Sequence, residues 1–362
     1  MNDKWRLLDT GSLSAAENMA LNQVILECRN KGLSPDTMRF LQFTPHCALV
    51  GYHQSVELEV EEDYCREHGL DINRRITGGG NLYFDESQLG WEIYTGRDKP
   101  GIPQRLEDLY RHICECGVAG LKKLGITSNF RPKNDIEVCG RKISGTGGKD
   151  LGNAFLYQGT LLTNFDVDTM LACLKLPLKK LDDKAADSFR QRVTCLKEIL
   201  GSNMPTMDVI KNAVVQGFEE VLEIELVPGE LTPEEQTRFT KLLPYFQSEK
   251  WIYGDRRIQD NQLKVVDYKC AGGLIRVYTR IDPERQLIKT VFITGDFFAY
   301  PDRTVLDLEV ALKNSSAREE DIRKNVQTFF SSHNVHIPNM EAKDFSCAII
   351  AAVKKEGDVN KG

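Results

Sequence analysis

The sequence predicts an α+β protein in two domains, a large one over residues 1–248 and a smaller one over 249–362. Three observations carry that reading. At 362 residues the chain is long enough for two cores, because single cores stop growing at roughly 250–300 residues. Helical and strand-like periods are mixed along the N-terminal part. Around Pro228-Gly229-Glu230-Leu231-Thr232-Pro233 the composition shifts to turn formers and acids. After Trp251-Ile252-Tyr253-Gly254 the pattern restarts, and a small α+β domain is expected from there.

Taken in order, Ser12 to Cys28 reads as a helix. Ser14 stands as N-cap with Glu17 three positions on, and Met19, Ala20, Val24 and Cys28 supply an apolar face. Thr37 to Phe43 alternates as a strand and stops at Pro45. Cys47-Ala48-Leu49-Val50-Gly51 is a short apolar run, Glu57 to His68 reads as helix, and Leu70-Asp71-Ile72 as strand. The strongest helical period lies in Arg105–Leu124, where Leu106, Leu109, Ile113, Cys116, Gly120, Leu121 and Leu124 recur and Gly125 stops the run. That stripe is core packing and carries no chemistry. A strand, a turn at Cys139-Gly140, and a second strand follow from Lys133 to Gly148, with a third strand at Ala154–Leu162. Asp168–Leu174 reads as a short helix, Pro177–Asp187 as charged loop, and Met207–Leu222 and Glu234–Phe246 as helices. In the smaller domain, Gly273–Tyr278 and Ile288–Gly295 form hairpin strands around Pro283-Glu284, and Thr304–Leu312 and Arg318–Ser331 are amphipathic.

Bulk charge excludes some functions. With 47 basic and 53 acidic residues the net charge is −6, which argues against a broad nucleic-acid surface. No apolar run reaches the length of a membrane span and the N-terminus has no apolar signal core, so a cytoplasmic protein, expected as a monomer, is the default. The ten cysteines are scattered without a C-x-x-C, and the six histidines form no H-E-x-x-H. Reduced, mostly buried thiols and no structural zinc are expected.

Two stretches stand apart from this ordinary background. In Arg74-Arg75-Ile76-Thr77-Gly78-Gly79-Gly80, two arginines precede three glycines. Glycines are kept where main chain bends sharply or lies against a ligand, and arginine offers a planar fork to phosphate or carboxylate. A loop over an anionic ligand and a plain glycine hairpin with solvated arginines both fit. The second stretch runs from Asn134-Asp135 to Gly140-Arg141-Lys142-Ile143-Ser144-Gly145. Asn134 and Asp135 offer an amide and a carboxylate able to hold Mg2+. Lys142 is either on a solvated face or aimed into a cleft as a point charge for phosphate.

In order and spacing these motifs, together with Gly159-Thr160-Leu161-Leu162, Arg192-Val193-Thr194 and Ala16-Glu17-Asn18-Met19-Ala20-Leu21, resemble the lipoate–protein ligase A family. Trp251-Ile252-Tyr253-Gly254 and Gly295-Asp296-Phe297-Phe298 look like its accessory C-terminal domain. The resemblance implies a large catalytic domain of the biotin/lipoate-ligase type, with a mixed, mainly antiparallel sheet flanked by helices. The implied activity is ATP-dependent: lipoate or octanoate is joined to AMP, and a lysine of a lipoyl carrier domain then takes the acyl group. Lys142 would be the catalytic residue. Arg75, Thr77, Gly78, Gly79, Gly80, Asn81, Tyr83, Asn134, Asp135, Gly145 and Thr160 would bind ATP and the acyl-adenylate, with Asp135 holding Mg2+. Tyr52, His53, Leu82 and Gln158 would line the acyl tail.

The sequence departs from the family at Phe84 and Gln158, where a histidine is common, and at Asn81, where a small residue is usual. Phe84 is expected to remove a polar side chain from the rim of the site, and Gln158 to keep hydrogen bonding without titration. These departures leave the adenylation machinery as the resemblance implies it and bear on acyl-chain preference or acceptor choice. Two rivals stay open. One is an ATP-independent octanoyl or lipoyl transferase of the same fold, which needs a thiol nucleophile in the loop before the Lys142 strand. Asn129-Phe130-Arg131-Pro132-Lys133-Asn134 has none. The other is a non-catalytic acyl-binding protein.

Overall fold

A computed structural model describes residues 3–132, 134–175, 190–254 and 263–355. The charged stretch Pro177–Asp187 lies outside them. The chain divides into two compact units: the described residues of Met1–Leu49, Glu59–Ile76 and Leu82–Gly254, and those of Val50–Leu58, Thr77–Asn81 and Asp255–Gly362.

The first unit is built on an eight-stranded mixed sheet. Its strands are β1 (Asp3–Leu13), β2 (Thr37–Phe43), β6 (Leu89–Gly96), β7 (Asn129–Arg131), β8 (Asp135–Val138), β9 (Arg141–Leu151), β10 (Ala154–Leu161) and β11 (Ile224–Pro228). They lie in the order β11-β1-β2-β6-β10-β9-β8-β7. The β1 pairings to β11 and β2 are parallel, and the remaining ladders are antiparallel. A three-stranded sheet adds β3 (Cys47–Val50) between β4 (Asp71–Arg74) and β5 (Leu82–Phe84).

Side-chain alternation splits the large sheet into two cores. Phe155, Tyr157 and Leu161 of β10 join Trp91 and the apolar stripe of helix Leu106–Lys123, together with helix Met207–Leu222. Ala154 and Leu156 instead join the core of helix Ala15–Asn30, with Phe246 from helix Pro233–Phe246. Ser14 caps the first of these helices through the expected box with Glu17. A second box, Thr232 with Glu235, starts the last, and Glu235 also takes both guanidinium nitrogens of Arg6 at 2.6 Å.

The two helices on the Trp91 face meet at glycines. A Cβ on Gly217 would collide with the Gly120 backbone nitrogen and lie 2.5 Å from the Cys116 carbonyl. Gly217→Ala is therefore expected to push the helices apart and destabilise the chain by about 1–3 kcal/mol. A urea midpoint equal to that of the unsubstituted chain would show that the crossing gives way without cost.

The second unit carries an antiparallel meander, β12 (Lys264–Cys270), β13 (Gly273–Asp282) and β14 (Leu287–Gly295). Helices Thr304–Leu312, Glu319–Ser332 and Ala342–Lys354 share a core with it that includes Ile275, Ile293, Phe297, Leu308, Val326 and Phe345.

Some elements differ from the sequence reading. The first helix begins after β1, a strand that periodicity does not announce. Glu57–His68 is two short helices, Val56–Glu59 and Glu62–Glu67, interrupted where Val60 bridges Leu174. Phe84 is not on a rim: it is buried, 4.6 Å from the Phe43 ring, in the core of the first helix. The residue that stands in place of a family histidine is thus a packing residue.

Candidate functional site

Lys142 lies where the β8–β9 hairpin slips register. Asp135 pairs Gly145 and Ile136 pairs Ser144, but Glu137 pairs Lys142, leaving Ile143 as the extra residue. Bulges of this kind turn a strand and re-aim its side chains. The backbone of Lys142 is fixed on its other edge: its N–H donates to the Arg192 carbonyl at 2.8 Å, and its carbonyl accepts from Thr194 at 2.9 Å. The Arg192-Val193-Thr194 motif is therefore a short parallel strap along the lysine.

The Lys142 ammonium sits 2.7 Å from Asp135 Oδ1 and lies over Gly145, where a Cβ would come within 2.7 Å of Nζ. Any side chain at 145 would displace the ammonium, which is the reason for glycine there. Asp135 also takes Arg131 at 2.9 Å, so the carboxylate holds two cations. The Lys142 side chain is 35% exposed and that of Asp135 15%. A pair this open contributes little to stability, and its ammonium can exchange the carboxylate for another anion at small cost. Thr160, half-buried on β10, pairs the other side of Gly145.

Asn134 is tied to β9. Its side-chain amide donates to the Thr146 carbonyl, and its own carbonyl accepts from Thr146 N–H at 2.9 Å and Thr146 Oγ1 at 2.8 Å. Lys142, Asp135, Asn134, Gly145 and Thr160, singled out separately from the sequence, thus meet at one junction of β8, β9 and β10.

Other residues expected at the site lie elsewhere in the first unit. Arg75 is 4% exposed, and its guanidinium donates to the Leu49 carbonyl at 3.3 Å. Burial pulls it down to about 10, which leaves it cationic at neutral pH. Arg74 is structural, donating to the carbonyls of Trp251 and Ile252. Tyr83 is buried with its hydroxyl 2.9 Å from His46 Nδ1, and burial pushes its phenol up. Leu82 is exposed on β5, and Gln158 is half-buried on β10 opposite Gly147 and Glu92.

The three glycines belong to the second unit. A Cβ on Gly78 would lie 2.5 Å from the Phe297 carbonyl, and Gly79 N–H faces that carbonyl at 3.5 Å. Gly80 lies beside Asp296, and a Cβ on Gly51 would meet the Gly79 carbonyl. Thr77 is buried and its carbonyl accepts from Tyr52 N–H at 2.9 Å. His53 stacks on Phe297 at 5.4 Å and meets Tyr52 edge-on. Asn81 ends this stretch, half-buried. The backbone that approaches the triplet is the Gly295-Asp296-Phe297-Phe298 turn.

Sequence reasoning missed Arg131, Thr146 and Tyr157. Hairpin pairing opposite Asp135 was the available signal for Arg131. The other two depend on strand register. Among the thiols, Cys139 is exposed at the β8–β9 turn, whereas Cys114 is buried and pushed up to about 11. Among the described residues no group of three His, Cys, Asp or Glu forms a metal-holding cluster.

Comparison with known proteins gives this chain a family. The octanoyltransferase LipM of Kyrpidia tusciae is 28% identical over 271 residues, covering 69% of this chain and 98% of its own length. A bipartite lipoate protein ligase of Thermoplasma acidophilum, solved in a study of its E2 lipoyl domain, is 28% identical with a TM-score of 0.63, over 72% of this chain and 99% of that one. A lipoate–protein ligase A bound with ATP is 25% identical with a TM-score of 0.60, over 70% of this chain and 99% of that one. The family model of the lipoyl protein ligase A/B catalytic domain matches residues 14–219, more than half of the chain. With its mixed sheet, its flanking helices and the Lys142 junction inside the matched stretch, the chain belongs to the lipoyl protein ligase A/B catalytic domain family.

Proposed function

We propose that this chain is an ATP-dependent lipoate–protein ligase. It joins the carboxylate of lipoate or octanoate to AMP and passes the acyl group to a lysine amine of a lipoyl carrier domain. The observation that carries this is the Lys142–Asp135 pair over Gly145, with no thiol in the preceding segment Asn129–Asn134. An acyl group that is activated as an anhydride with AMP needs positive charge and fixed donors, but no protein nucleophile. A transfer without ATP that passes through an acyl-enzyme needs a side chain to carry the acyl group.

In the first half-reaction the acid's carboxylate oxygen attacks the α-phosphorus and pyrophosphate leaves. Two anions must meet, so Lys142 exchanges Asp135 for the carboxylate and α-phosphate oxygens and lowers their repulsion. Asp135 keeps Arg131 and is the residue that would hold Mg2+. The Mg2+ ion would supply charge neutralisation on the polyphosphate. In the second half-reaction the carrier's uncharged amine attacks the acyl carbonyl and gives up one proton to solvent, AMP leaves, and Lys142 faces the oxyanion. Family resemblance supports further roles for Arg75, Thr77, Gly78, Gly79, Gly80, Asn81, Tyr83, Asn134, Gly145 and Thr160 at the adenylate. It supports Tyr52, His53, Leu82 and Gln158 at the acyl tail.

The likeness to LipM favours a second reading, ATP-independent octanoyl transfer between carriers. Cys139 is the exposed thiol on the Lys142 hairpin, and half-buried Cys195 follows the strap residue Thr194. Iodoacetamide at neutral pH is expected to label Cys139 while sparing Cys114 and Cys116. Cys139→Ser and Cys195→Ser are each expected to keep ATP-dependent acylation of a lipoyl domain within about twofold, because the proposed route uses neither thiol. A thioester on either cysteine after incubation with an octanoyl carrier, with transfer lost in the serine variant, would establish the second reading instead.

A further inference from the structure

We propose that Thr146 and Tyr157 are positioning residues that hold Asn134 in place through a one-directional hydroxyl relay buried beneath the strand junction. This rests on the ligase reading and deepens it, since it concerns how the phosphate-facing end of β8 is held.

The proton directions follow from counting donors. Thr146 Oγ1 lies 2.8 Å from the Asn134 carbonyl, which can only accept, so the threonine's single O–H is committed to it. Tyr157 Oη lies 2.5 Å from the same Thr146 Oγ1. With the threonine proton already placed, the tyrosine must be the donor. Burial pushes the Tyr157 phenol well up, which keeps that proton on it. Cys114 Sγ lies 3.7 Å from both hydroxyls and adds a weak thiol contact at the inner end. The chain therefore runs Tyr157 O–H to Thr146 O–H to Asn134 C=O, and each link polarises the next.

The surrounding sequence is shaped to hold this chain. The Tyr157 ring lies over Gly148, where a Cβ would come within 3.2 Å of it, and it packs edge-on against Tyr110 with ring centres 4.9 Å apart. Tyr157 is fully buried, so its hydroxyl cannot fall back on bulk water. With the Thr146 N–H and carbonyl also bound to Asn134, three contacts join these two residues. They fix the residue that immediately precedes Asp135.

The test separates the half-reactions. Thr146→Val keeps shape but removes the hydroxyl, and is expected to lower kcat/KM for ATP-dependent adenylation by about tenfold, the effect of one lost buried hydrogen bond. Thr146→Ser is expected to restore it, and Tyr157→Phe to give a smaller loss. Transfer from preformed lipoyl-AMP to a lipoyl domain, in which Asn134 meets one phosphate rather than three, should fall less than adenylation does in all three. General loosening of the fold would slow both half-reactions alike. A wild-type-like Thr146→Val, or equal losses in the two half-reactions, would overturn the positioning role while the ligase reading stands. Absence of adenylate from the unsubstituted chain would overturn both.

Discussion

Lys142→Ala is expected to lower adenylate formation by roughly 10²–10³-fold, the usual loss when one preorganised charge at a reacting oxyanion is removed. The fold should survive. The lysine is 35% exposed, its ion pair is the open kind that stabilises little, and Asp135 keeps Arg131 at 2.9 Å when the lysine is gone. Lys142→Arg should not rescue the reaction. The ammonium fits over a glycine that leaves it 2.7 Å from a would-be Cβ, and a planar guanidinium is neither so compact nor a point charge. Pyrophosphate release with lipoate or octanoate reads the effect, and thermal unfolding serves as the control. Turnover retained in the alanine variant would show that the junction is not the reacting centre.

Glu92→Ala is expected to have the largest effect on stability. Arg39 and Glu92 face each other on paired strands β2 and β6, 3.1 Å apart and with essentially no exposure. Glu92 also accepts from Asn22 at 2.6 Å and from the Tyr94 hydroxyl at 2.6 Å. Arg39 further donates to Asn18 and to Thr10. Removing the carboxylate leaves a buried guanidinium without its counter-charge, at a cost of about 3–5 kcal/mol. For a unit of this size that lowers Tm by roughly 6–20 °C. The pair itself is not the gain: an Arg39→Leu/Glu92→Leu double variant should recover much of the loss, because neither charge then has to be desolvated. A Tm for Glu92→Ala within about 2 °C of the unsubstituted chain would mean that water reaches the site.

The residues themselves show why part of this was legible. Helix Ala15–Asn30 announces itself through a local capping box, and helix Leu106–Lys123 through a 3.6-residue stripe. Both signals lie within a few residues of one another. Strand β1 carries no such signal because its neighbours, β2 and the distant β11, decide its burial. The same distinction holds at the site. Lys142, Asn134 and Asp135 stood out by residue type, but the bulge at Ile143 that sets the lysine over Gly145 is a matter of register. The glycine triplet stands out by composition as a place for a ligand, but the Phe297 backbone that approaches it lies more than two hundred positions away, beyond the reach of any local signal. Phe84 was assigned to the rim because the resemblance put a histidine there, and packing against Phe43 decides otherwise.

The central claim is that an ammonium held over a bare glycine, beside a carboxylate, activates a carboxylic acid with ATP. Its most direct test offers the purified chain lipoate and octanoate in competition with a lipoyl carrier domain, with and without ATP and Mg2+, and follows the intact mass of the carrier together with pyrophosphate. The account predicts an acyl mass gain on the carrier that requires ATP and is matched by released pyrophosphate. A mass gain drawn from an octanoyl carrier without ATP, or no pyrophosphate with either acid, would contradict it.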